Sequence, residues 1–307
     1  MGSLARRGER DEVPKAVMVE FLVGVDGGGT ATRALVARCG SPVIGQGQAG
    51  PSALGQGIGP AWIQVQIAIG SAFTAAGLPV PSWERCALGA GLSGVSNRPW
   101  RDEFVARNVG FARLEVETDA FTMLLGAHRG QPGAIVAAGT GSVGEVLRRD
   151  GSRFSVGGWG FPVGDEGSGA WLGLRAVRLA QAAMDGRINA GPLVRHVWAT
   201  CGADRDTLQA WCDHAGQFAY AQLTPAIFST EATDPTAAHL LSRAAREIED
   251  MALALDPQGG LPLAVCGSVG RRLADRLSPA VRSRLVDAAD GPAAGALTLI
   301  RRVVENQ

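Results

Sequence analysis

The sequence predicts a duplicated α/β protein, two sheet-and-helix domains facing each other across a cleft. Three observations carry that expectation. A glycine turn with a hydroxyl residue occurs twice, each time between two strand-like runs. Both halves then place three strands ahead of their helices. The chain's 307 residues also exceed the usual size of one domain.

The first turn, Asp26-Gly27-Gly28-Gly29-Thr30, follows the apolar run 21–25 and leads into 31–38. The second, Gly139-Thr140-Gly141-Ser142, follows 134–138 and leads into 143–147. Such turns expose backbone N–H groups, which is what a phosphate needs. A dinucleotide fingerprint or a Walker loop would open a helix instead. Here β-forming residues follow, and Gly40-Ser41-Pro42 and Arg149-Asp150-Gly151 end the two strands. The chain's one lysine, Lys15, lies ahead of the first strand, which also excludes a Walker site. A single turn of this kind would read as an ordinary tight turn. Its repetition predicts two jaws on one polyphosphate.

In chain order, alternation predicts strands at 21–25, 31–38 and 43–47. A helix follows over 60–76, where Trp62, Val65, Ile69 and Phe73 recur at helical spacing. A buried strand at 85–89 gives way to a loop at 91–95, a helix near 98–108, a strand at 114–116 and a helix after Asp119. The second half gives the hairpin 134–147, a third strand near Phe154, and helices over 168–184, 191–200, 204–216 and 234–255. An apolar strand at 261–266 then meets Gly267-Ser268-Val269-Gly270 and another helix, and Pro292 opens a final helix.

Composition narrows the function classes. A hydrophobic share of 46% with 19% charged residues describes a soluble globular protein, and zero net charge offers no field for nucleic acid or an acidic membrane. No transmembrane span is expected. Five dispersed cysteines read as reduced thiols in a cytoplasmic protein, and four dispersed histidines predict no protein-built zinc site. Residues 1–18 are charged and read as a disordered leader, not a signal peptide, with Met18 a candidate true start.

Four places carry chemistry. Asp26 ends a buried strand beside a phosphate turn, an unfavourable arrangement unless a cation such as Mg²⁺ lies between; the alternative is a turn-capping Asp. Asp119 follows a strand and opens a helix, where reactive groups gather in α/β sheets. On the motif alone a general base and a helix N-cap stand level there. The densest stretch, 157–169, holds Trp159, Asp165 and Glu166 among glycines before a helix with Ser168 as its cap. Carboxylates in so polar a loop suit the vicinal hydroxyls of a sugar. Gly267-Ser268-Val269-Gly270, weaker by itself, would let a flat adenosine lie on the backbone.

Taken together, these motifs resemble the N-acetylglucosamine kinase family, within the BadF/BadG/BcrA/BcrD-type ATPases of the actin–hexokinase–Hsp70 superfamily. The resemblance spans residues 21–270. It implies two ribonuclease-H-like, actin-like domains, 19–122 with 292–307 and 123–291, each a mixed sheet flanked by helices. It further implies ATP and Mg²⁺ in the cleft and phosphorylation of an amino sugar at its 6-hydroxyl. Carried onto this chain, Asp119 is the general base and Asp26 the metal-associated acid. Gly27, Gly28, Gly29, Thr30 and Gly139, Thr140, Gly141, Ser142 hold phosphates, and Gly267, Ser268 and Val269 hold adenosine. Asp119, Thr140, Gly158, Trp159 and Asp165 touch the sugar, and a homodimer is expected.

One departure bears on the substrate. Ala53 stands where relatives often have a sugar-binding Asn, so Ser52 or Gln56 would substitute. Glucosamine, N-acetylglucosamine and related amino sugars all stay open. Competing readings are an activator ATPase of the 2-hydroxyacyl-CoA dehydratase or benzoyl-CoA reductase type, which needs cysteines near its glycine loops, and a sugar-sensing protein without catalysis. A ROK-type sugar kinase would need a Cys-rich zinc loop.

Overall fold

The computed structural model describes residues 18–305. The predicted leader therefore lies outside the described residues, apart from Met18. The first half runs β1 (Phe21–Gly27), β2 (Thr32–Arg38), β3 (Val43–Ala49), α1 (Ile58–Ala75), β4 (Cys86–Leu92), α2 (Arg98–Ala106), β5 (Arg113–Thr118) and α3 (Asp119–Ala127). The second runs β6 (Gly133–Ala138), β7 (Ser142–Leu147), β8 (Arg153–Gly157), α4 (Gly169–Met184), α5 (Pro192–Cys201), α6 (Arg205–His214), α7 (Gln217–Ala221), α8 (Thr224–Thr230) and α9 (Pro235–Leu255). It closes with β9 (Leu263–Cys266), α10 (Ser268–Leu273), α11 (Pro279–Arg282) and α12 (Pro292–Glu305).

The two sheets repeat one plan. The first has the order β3-β2-β1-β4-β5 and the second β8-β7-β6-β9. In each, three antiparallel strands are followed by a parallel neighbour of the first of them. β1 and β6 are apolar almost throughout, as strands covered on both faces must be. The structure thus has the α/β class expected, with a mixed sheet in each half.

Differences from the expected elements have local causes. β4 continues through Gly91 and Leu92, where a loop was expected, because parallel pairing with β1 and β5 persists to Gly27 and Thr118. Helices α7 and α8 lie where the sequence shows no long apolar period, and each is less than two and a half turns.

Packing explains how the halves meet. β1 and β4 pack against α1 on one face, through Val23, Val25, Val65, Ile69 and Phe73. Their other face meets Leu297 and Ile300 of α12, so the last helix returns to the first sheet. Helix α3 lies between the halves. One side contributes Phe121, Leu124 and Leu125 to a cluster with Ile135 of β6 and Ala264 of β9. The other crosses α12 so closely that a Cβ on Gly295 would run into the Thr122 carbonyl. The N-terminus of α3 therefore opens between the two sheets.

Candidate active site

Both glycine turns are anchored by hydrogen bonds that leave their tips open. In the first, the amides of Ser52 and Ala53 donate to the Gly28 carbonyl at 3.0 and 3.1 Å, and the Ser93 amide donates to the Gly27 carbonyl at 2.9 Å. In the second, the Gly139 amide donates to the Gly141 carbonyl at 2.9 Å, while Gly139 and Thr140 accept from the amides of Gly169 and Ala170. This ties the second turn to the start of α4, where Ser168 accepts from the Trp171 amide as the cap expected of it. A Cβ on Gly139 would meet no atom within 4 Å, so the space over this turn is free for a phosphate-sized group.

Two cavities meet at the second turn. The larger, about 950 Å³, includes Gly29, Thr30, Gln56, Thr118, Asp119, Ser142, Gly158 and Asp165 in its lining. The smaller, about 560 Å³, includes Phe218, Gln222, Phe228, Ser268, Val269 and Arg272. Gly139 and Thr140 line both. Glycine and hydroxyl groups at the junction, with an apolar slot on one side, fit a nucleoside polyphosphate.

Asp119 does not cap α3. Thr118 does, its hydroxyl accepting from the Phe121 amide at 3.1 Å. The Asp119 carboxylate instead accepts from the Ala120 amide at 2.9 Å and lines the larger cavity. Burial pushes its pKa up, against the pull of its backbone hydrogen bonds. Asp26 sits at the end of β1 with a side chain 17% exposed, and among the described residues its cationic neighbour, Arg33, is 3.7 Å away and largely in water. Burial first, opposed by Arg33 and helped by the charge of Asp119, raises Asp26 to about 6. A carboxylate so poorly compensated suits a cation beside phosphate oxygens.

Asp165 holds the densest loop together. It takes the left-handed conformation, φ 62°, that non-glycine residues seldom adopt. One carboxylate oxygen accepts from the Ser142 amide at 3.1 Å and the other from the Gln217 side chain at 2.6 Å. The same residue thus lines the cavity and fixes the second glycine turn.

Of the expected residues, Asp26, Gly27, Gly28, Ser52 and Trp159 line neither cavity. Ser52 is buried below the first turn, its hydroxyl accepting from Thr32 at 2.7 Å, and it does not line the cavity. Gln56 does line it, and donates to the Gly29 carbonyl at 3.2 Å. Trp159 stands 82% exposed on the loop after β8, away from both linings. Sequence reasoning missed Ser93, Ser96, Gln217, Phe218 and Arg272, and also Glu145, whose only signal was a charge in an otherwise apolar strand.

The sequence pattern of the BadF/BadG/BcrA/BcrD ATPase family matches residues 23–297. The chain belongs to this family. It is 35% identical over 280 residues to glucosamine kinase GspK of Vibrio cholerae, covering 91% of this chain and 95% of the relative. It is 48% identical to a candidate N-acetylglucosamine kinase of Chromobacterium violaceum, whose crystal structure superposes with a TM-score of 0.87 over 92% of this chain and 99% of that one. A ROK-family glucokinase from Streptomyces griseus, 18% identical with a TM-score of 0.51, covers 92% of this chain and 99% of its own, and shares the fold alone. The family member described here therefore has the actin-like ATPase fold and stands among phosphotransferases. Among its described residues no helix is long and apolar enough to cross a membrane.

Proposed function

We propose that this chain is an ATP-dependent kinase for the 6-hydroxyl of an amino sugar, glucosamine or N-acetylglucosamine. The observation that carries this reading is the meeting of an apolar, nucleoside-sized cavity and a carboxylate-lined cavity at one glycine turn. The names of the Vibrio cholerae and Chromobacterium violaceum relatives support it. ATP lies with adenosine between Phe228 and residues 267–269, and with phosphates over 27–30 and 139–142. The sugar lies in the larger cavity against Asp119, Thr140, Gly158 and Asp165.

In the transfer step Asp119 accepts the proton of the sugar 6-hydroxyl as its oxygen bonds to the γ-phosphorus. The bond from that phosphorus to the β–γ bridging oxygen breaks, and its electron pair leaves with ADP. The backbone N–H groups of both turns stabilise the charge on the phosphoryl oxygens. Mg²⁺, held by Asp26 and phosphate oxygens, would neutralise the same charge. Lobes 19–122 with 292–307 and 123–291 close on the sugar, which excludes water and brings the exposed Trp159 onto the ring.

The test is ADP release with Mg²⁺ over glucosamine, N-acetylglucosamine, N-acetylmannosamine, N-acetylmuramic acid and glucose. Turnover of an amino sugar above glucose is expected, and turnover of none of them overturns the proposal. Gly139→Val probes the phosphate site separately. Its side chain enters free space and leaves the melting temperature unchanged, but it displaces phosphate and raises KM for ATP by about tenfold or more.

A further inference from the structure

Within the larger cavity one charged group has no task in the transfer step. Glu145 lies on β7, opposite Ser155 of β8 and facing the side of the sheet on which α3 packs. The residue is 4% exposed. One carboxylate oxygen accepts from the Ser155 hydroxyl at 2.7 Å, while the other is buried with no hydrogen-bond partner. Burying a carboxylate is unfavourable unless a cation or donors compensate it.

Among the described residues the cation that acts on it is Arg153, through space only. The Arg153 guanidinium makes a forked pair with Glu117 at 2.8 and 3.2 Å and stacks on Phe121 at 3.1 Å. The cavity lining holds three carboxylates, Asp119, Glu145 and Asp165, and no lysine, arginine or histidine. Asp165 is satisfied by Ser142 and Gln217, and Asp119 is assigned to the reacting hydroxyl. Burial pushes the Glu145 carboxyl up from its ordinary pKa, and a cation brought by the ligand would hold it ionised.

We propose that Glu145 binds the protonated 2-amine of the sugar and makes this chain prefer the free amino sugar over its N-acetyl derivative. This deepens the proposed kinase function and rests on it. Asp119 and Glu145 line one cavity and interact through space, so a single pyranose can present its 6-hydroxyl to one and its amine to the other. An ammonium gives the vacant oxygen a charge-assisted hydrogen bond. An acetamide offers a neutral N–H and leaves the buried charge uncompensated. Ser155 completes the receptor by holding the carboxylate in place from the neighbouring strand.

Glu145→Gln tests this, with kcat/KM measured for glucosamine, N-acetylglucosamine and glucose in both proteins. The native protein is expected to favour glucosamine over N-acetylglucosamine by at least about tenfold. The variant is expected to lose about 10- to 100-fold on glucosamine while changing little on the other two, the range for a lost hydrogen bond between charged groups. Calorimetric titration of glucosamine without nucleotide provides a second readout, expected to weaken by the same factor. A native preference for N-acetylglucosamine, or an equal loss on all three sugars, overturns the role of Glu145 and leaves the kinase assignment standing. Turnover of no sugar by the native protein defeats the assignment itself, and calorimetry then still reports whether Glu145 binds the amine. An unchanged variant makes Glu145 a fixture of the sheet and sinks the proposal.

Discussion

Asp119→Asn is expected to lower kcat by about 10²–10⁴-fold, the contribution of a positioned general base. The substitution is clean because Thr118, not Asp119, caps α3. An asparagine oxygen can still accept from the Ala120 amide, so the helix start and sugar binding should survive. The pH profile adds a second signature. A base works ionised, and burial raises the pKa of Asp119, so activity is lost as pH falls through a value above the ordinary carboxylate range. The variant's residual rate should lack that acid limb. Steady-state rates across pH check both points, and near-normal turnover would leave Asp119 no part in proton transfer.

Asp26→Asn is expected to move stability and activity in opposite directions. Raising this carboxyl from 3.8 to about 6 corresponds to about 3 kcal/mol of strain in the ionised, ligand-free protein. The sign follows from the direction of the shift. The folded state holds the proton more tightly than the unfolded state, so the penalty is absent below pH 3.8, grows up to pH 6 and is complete above it. An amide carries no such penalty. The variant should therefore resist urea better than the native protein at pH 7.5, by up to about 3 kcal/mol, and this advantage should vanish as pH approaches 3.8. Turnover with Mg-ATP should fall at the same time. Equal stability with full turnover would make Asp26 an ordinary turn residue.

Asp26 was legible because it closes a strand beside a glycine turn, and Asp119 because it stands where a strand gives way to a helix. The doubled strand–turn–strand unit was legible for the same reason, since glycines and small strand residues mark it locally. What stayed hidden depends on contacts distant in sequence. Ser52 faces Thr32 and not the cavity because the first turn folds over it, and no local pattern announces that. Gln217 reaches Asp165 across 52 positions from a helix of five residues, too short to show a period. Trp159 was a sugar contact only by family resemblance, and its side chain stands exposed to water in the structure. The vacant oxygen of Glu145 follows from strand pairing that puts the Ser155 hydroxyl on one side of it and the apolar Ile135 on the other.

The proposed reaction transfers the γ-phosphate to one particular hydroxyl of an amino sugar. Its most direct measurement is a proton–phosphorus correlation spectrum of the product made from Mg-ATP and glucosamine. Coupling of the new phosphorus to the two protons on carbon 6 is the predicted result. Coupling to the proton on carbon 1, or free phosphate with no sugar ester, would contradict it.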